Sequence, residues 1–175
     1  ITAENDDETF GNLSSLLKCF EISKKDQSDL IYFVEDDYLH YDHSLVDMLN
    51  TYERVSSQHK DEIIVCPSDY PFNYMNNEKT NILIGSQQHW RTITKMLCTF
   101  MISKKMFQKH IDNFEKTCEK RHEPFEKYLN KILESEIGIS PIKSLAIHMT
   151  NVNSSYGLSP FIDLKKLWEE NKIDQ

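Results

Sequence analysis

The sequence predicts an α/β fold with a mixed, mostly parallel sheet flanked by helices. Short apolar runs rich in β-branched and aromatic residues, "LIYFV" (30–34) and "EIIVC" (62–66), have the character of strands buried on both faces. Segments with apolar residues at helical spacing alternate with these runs, as they do in α/β domains. The 175 residues suffice for one domain with a real core, and 39% hydrophobic with 27% charged residues describes a globular chain.

The elements follow in order. Residues 9–23 place Phe10, Leu13, Leu16, Leu17 and Phe20 on one helical face. "KKDQSD" precedes the "LIYFV" strand. Residues 42–55 read as a helix with Leu45, Met48 and Leu49 on one side. Pro67 ends the "EIIVC" strand, and "PSDYPFNYMNNEKT" is a loop by its prolines and asparagines. "NILIGS" (81–86) and "MLCTFMIS" (96–103) read as strands. "KKMFQKHIDNFEKTC" (104–118) is an amphipathic helix, and a second helix covers 123–135 with Pro124 in its first turn. "IKSLAIHM" (142–149) is a last strand, followed by a terminal helix in "SPFIDLKKLWEEN" (159–171).

The net charge of −8 argues against a general nucleic-acid binder. No apolar run approaches the roughly 18 residues of a membrane span. Cys19, Cys66, Cys98 and Cys118 form no CxxC pair, which reads as reduced core thiols and a cytoplasmic location rather than zinc ligands. Asn12 and Asn153 open glycosylation sequons, a short pattern common by chance.

The chemistry concentrates where "LIYFV" runs into Glu35, Asp36 and Asp37. Ligands of open α/β sheets sit beyond the carboxyl ends of strands. In an extended segment Glu35 and Asp37 share a side and Asp36 points elsewhere. Like charges held together there repel. A hard divalent cation, Mg²⁺ or Mn²⁺, removes that penalty and keeps positions open for substrate phosphates. The plainer reading is a solvated acidic turn.

The segment "YFVEDDYLHYDHSLVDML" resembles the DxD-bearing segment of GT-A type nucleotide-sugar glycosyltransferases, in its E-x-D variant. "GNLSSLLKCFEIS", "IIVCPSDYPFNY", "HWRTITKMLCTFMIS" and "SLAIHM" resemble other parts of that domain, so the likeness covers most of residues 1–175 as a single domain. It implies a GT-A-like fold, a nucleotide-sugar donor (a UDP-sugar foremost), a glycan acceptor and Mn²⁺ or Mg²⁺. Asp37 and His148 would ligate the metal. Glu35 would support the metal through water or contact the donor ribose, and Asp36 would orient the loop or touch the sugar. Such domains begin with a strand that holds the nucleobase. Its absence here implies an N-terminally incomplete domain or a base bound differently, with Thr2, Asn5, Asp6, Asp7 and Asn12 remaining of that site.

Other residues carry two readings each. Trp90 either stacks on a sugar or packs in the core, and Arg91 either pairs with phosphate or lies on the surface. Glu123 and Glu126 sit where an inverting enzyme holds its general base, or serve a helix dipole. Asp69 is a further acceptor-side candidate. His40, Asp42 and His43 read as a surface turn capping the next helix through Asp42 rather than a second metal cluster. The competing functions are a metal-dependent nucleotidyl or phosphoryl transferase, disfavoured by four glycines and no phosphate loop, and a non-catalytic carbohydrate-binding domain.

Overall fold

The computed structural model describes residues 11–75, 77–149 and 162–172. The order is α1 (Asn12–Lys25), β1 (Leu30–Phe33), β2 (Tyr38–His40), α2 (Ser44–His59), β3 (Ile63–Val65), a 3-10 turn (Pro71–Tyr74), β4 (Ile82–Ile84) and β5 (His89–Ile93). Then come β6 (Phe100–Ser103), α3 (Lys104–Lys109), α4 (Ile111–Glu119), α5 (Lys127–Ile132), β7 (Ile137–Pro141), β8 (Ala146–His148) and α6 (Leu164–Glu170).

Six strands form one sheet in the order β1-β6-β3-β7-β5-β4, and β2 pairs with β8 in a small second sheet. The expected mostly parallel sheet is corrected to a mostly antiparallel one. Only β3 and β7 run parallel; the other four neighbouring pairs are antiparallel. Two local features decide this. Strand β6 lies between β1 and β3 and runs against both, so strands of like direction are separated by one of opposite direction. Strands β4 and β5 form a hairpin whose turn is closed by the Gly85 N–H donating to the Gln88 carbonyl at 2.9 Å. A hairpin pairs antiparallel by necessity, whereas the alternation rule assumes a helical crossover. Glycine is required at 85 by close approach: a Cβ there would meet the Trp90 ring at 2.2 Å.

The alternation of strand side chains builds two cores. Ile64, Phe100, Ile102 and Ile93 face a layer containing Phe20 of α1, Phe107 of α3, Phe114 of α4 and Leu129 of α5. Ile63, Val65, Met101 and Trp90 face Met48 and Val55 of α2. Helix α1 is anchored at its end by Lys104, whose ammonium donates to the carbonyls of Ser23, Lys24 and Asp26. A cation there satisfies carbonyls that the helix leaves unpaired and opposes its dipole.

Three helix expectations are also corrected. The helix at 104–118 is two helices broken at His110. Helix α5 begins at Lys127 rather than 123; Pro124 lies before it, where its carbonyl accepts the Lys127 N–H at 3.2 Å. Asp42 does not cap α2: His43 holds the N-cap position without a side-chain bond, and the Ser44 hydroxyl bonds the Leu145 carbonyl instead. The four cysteines are free thiols. No helix among the described residues is long and apolar enough to cross a membrane.

Candidate metal and donor site

Strands β1 and β3 both run against β6, and β7 runs with β3, so these three strands end on one side of the sheet. The segments that follow them meet there. After β3, the Pro67 carbonyl accepts the Leu145 N–H at 2.8 Å, and the Asp69 N–H donates to Ser144 Oγ at 2.7 Å. After β1, the chain makes the Glu35–Asp37 turn and re-enters as β2, which pairs with β8 so that Tyr38 faces His148.

This pairing brings Asp37 and His148 together. His148 Nε2 lies 2.8 Å from Asp37 Oδ2, and the Met149 N–H donates to the Asp37 carbonyl at 2.9 Å. The imidazole stacks on the Tyr38 ring, with centroids 4.7 Å apart and planes 9° from parallel. Glu35 and Asp37 are half-buried and Asp36 is exposed.

Glu35 is held by Thr99. The Glu35 N–H donates to Thr99 Oγ1 at 3.0 Å, and that hydroxyl reaches Glu35 Oε2 at 3.4 Å. Burial, with the neighbouring charges of Asp37 and Glu126, pushes the Glu35 carboxyl up to about 7. Glu126, at the N-cap of α5, is also raised by burial, and the charge of His148 acts against the rise. Glu123 raises Glu126 further and is itself exposed. The fold thus gathers Glu35, Asp37, Glu126 and His148 from three separate parts of the chain.

Asp37 Oδ2 and His148 Nε2 converge, a carboxylate and an imidazole of the kinds that can ligate a divalent cation, and Glu35 beside them is raised by burial first and then by the charges of Asp37 and Glu126. Among the described residues no group of three or more His, Cys, Asp or Glu is arranged to hold a metal ion.

The other expected site residues lie apart from this cluster or are engaged within the fold. Trp90 is fully buried in the core against α2, so protein rather than a sugar covers its ring. Arg91 Nη2 lies 3.6 Å from Asp69 Oδ1 and donates to the Tyr74 hydroxyl at 2.6 Å, with the guanidinium 4.4 Å over the Tyr74 ring. The Tyr74 hydroxyl in turn donates to Asp69 Oδ2. Asp69 is therefore a buried carboxylate engaged by a cation and a phenol. Asn12 is exposed at the start of α1, one turn before Leu16. Leu16 begins the lining of a cavity of about 410 Å³ that runs between α1 and β1 to Glu35 and Cys98. Thr2, Asn5, Asp6, Asp7 and Asn153 lie outside the described residues.

Sequence reasoning missed Thr99, Tyr38 and Tyr70. Thr99 left a signal: a polar residue inside the apolar run "MLCTFMIS" must find a buried hydrogen bond. Tyr38 and Tyr70 left none, because their hydroxyls meet at 2.7 Å only through the fold.

Comparison of the chain with protein-family models, curated proteins and solved structures finds no match.

Proposed function

We propose that this chain is a metal-dependent glycosyltransferase of GT-A type that moves a sugar from a nucleoside-diphosphate sugar, a UDP-sugar foremost, to a glycan acceptor. One observation carries the reading: a carboxylate in the turn between β1 and β2 touches a histidine 111 residues later, with two further half-buried carboxyls, Glu35 and Glu126, in the same electrostatic cluster. Mn²⁺ or Mg²⁺ would be held by Asp37 and His148 and would offset the charge that develops on the diphosphate leaving group.

The chain's own residues supply the rest. Glu35, fixed by Thr99, lies at the head of the cavity along β1, where it accepts hydrogen bonds from the donor ribose. Asp36 is exposed at the turn, where it orients the loop or meets the donor sugar. Of the three base candidates we favour Glu126, which is half-buried, is raised by burial and feels the charge of His148. Asp69 is committed to Arg91 and Tyr74, and Glu123 is exposed. In an inverting transfer the acceptor oxygen bonds to the anomeric carbon, the bond to the diphosphate breaks, and Glu126 takes the acceptor's proton. The four free cysteines favour a reducing compartment, the cytoplasm.

Calorimetry with UDP, GDP and Mn²⁺ tests the reading. Diphosphate binding that requires the metal is expected. Tight binding that survives a chelator overturns it.

A further inference from the structure

Tyr38 touches both halves of the candidate site. It follows Asp37 directly, and its partner across the β2–β8 ladder is His148. The stacked Tyr38 ring covers one face of the imidazole and fixes the plane in which Nε2 meets Asp37. At its other end, the Tyr38 hydroxyl pairs with the Tyr70 hydroxyl at 2.7 Å.

Tyr38 and Tyr70 are both buried, so each hydroxyl depends on the other for its hydrogen bond. Phenylalanine at 38 would keep the stack and lose this anchor; an aliphatic residue would lose both.

We propose that Tyr38 is a positioning residue for the metal site: its ring sets the plane of His148, and its hydroxyl, held by Tyr70, fixes where that ring stands. The role rests on reading Asp37 and His148 as the metal pair. It goes beyond that reading by assigning the orientation of the imidazole to a side chain that touches neither metal nor substrate.

The test uses the ¹⁵N-labelled chain, with the His148 imidazole signals assigned by their loss in His148→Ala. Tyr38→Phe is expected to leave those signals in place and to weaken Mn²⁺ binding, measured by electron paramagnetic resonance. Tyr70→Phe breaks the hydroxyl pair from its other end and should match Tyr38→Phe in both readouts. Tyr38→Leu should move the imidazole signals toward the averaged position of a free ring and weaken Mn²⁺ binding by about tenfold, the scale seen when a group that orients a metal ligand is lost. Unchanged His148 signals in Tyr38→Leu overturn the role of the ring, whether or not Mn²⁺ binds. Wild-type Mn²⁺ affinity in both Tyr38→Phe and Tyr70→Phe overturns the role of the hydroxyl. A chain whose His148 signals respond to Tyr38→Leu but which takes up no Mn²⁺ upholds the ring's role and overturns the metal reading instead.

Discussion

His148 Nε2 and Asp37 Oδ2 stand 2.8 Å apart across 111 residues of sequence, held by the facing of Tyr38 and His148 in the β2–β8 ladder. A carboxylate–imidazole pair in that position is either a hydrogen-bonded structural pair or two arms of a metal site, and the two roles respond differently to mutation.

If it is a metal site, Asp37→Asn and His148→Ala each weaken Mn²⁺ binding by at least about tenfold. Asp36→Asn, at the exposed residue of the turn, should change it little. Mn²⁺ titration of the three variants checks this. Equal losses at Asp36 and Asp37 would refute the division of roles. Wild-type affinity in His148→Ala together with a lowered melting temperature would make the histidine structural.

Glu35 gives the site a pH signature. Its folded carboxyl sits at about 7, above the roughly 4.3 of an unfolded glutamate. Between those values the folded chain holds more protons than the unfolded one, so Glu35's contribution is full below about 4.3 and is lost as pH rises toward about 7. Glu35→Gln removes that loss, so the variant should gain stability on wild type through this window and hold the gain above it. Urea midpoints from pH 4 to 8 measure the difference. A difference that stays constant across the range would rule out the raised carboxyl.

Arg91 separates a phosphate ligand from a structural cation. It lies against the buried Asp69 carboxylate, which Tyr74 also engages. Removing one partner of a buried ion pair costs about 3–5 kcal/mol. Arg91→Ala should therefore lower stability by an amount of that order while UDP affinity in the presence of Mn²⁺ is kept. A stable variant that loses UDP binding would return Arg91 to the donor site.

Gly85→Ala tests the hairpin that helps make the sheet antiparallel. The added methyl would overlap the Trp90 ring, and the ring lies in a closed core. Overpacking of this kind costs about 1–3 kcal/mol. Denaturant unfolding of the variant reads it directly, and a neutral result would show that the Trp90 ring can shift.

The sequence by itself determined what periodicity and burial encode locally. The "LIYFV" and "EIIVC" strands, the helices around Leu13 to Phe20 and Met48 to Val55, and the placing of Glu35 to Asp37 just after the first strand were all legible, because each depends on neighbours along the chain. The expected burial on both faces holds for β3 but is corrected for β1, which stands at the sheet edge with Leu30, Ile31 and Tyr32 half-buried and Val34 exposed. Strand β7 was not legible. Its run holds only Ile137 and Ile139 as large apolar residues, and Gly138 between them is there because Leu133 packs within 2.5 Å of where a Cβ would stand. Strand β5 was hidden for a related reason, since "HWRTI" owes its extension to β4 and β7 on either side of it. Strand direction belongs to the tertiary structure as well: apolar runs say that strands exist, but the insertion of β6 between β1 and β3, together with the β4–β5 hairpin, makes the sheet mostly antiparallel. The same holds for the candidate site. The sequence supplied its carboxylates and its histidine. The two-residue meeting of Asp37 with His148, the hydroxyl pair of Tyr38 and Tyr70, and the hold of Thr99 on Glu35 arise only where distant segments are closed against one another, because the distances that matter are set by pairing across the fold and not by spacing along the chain.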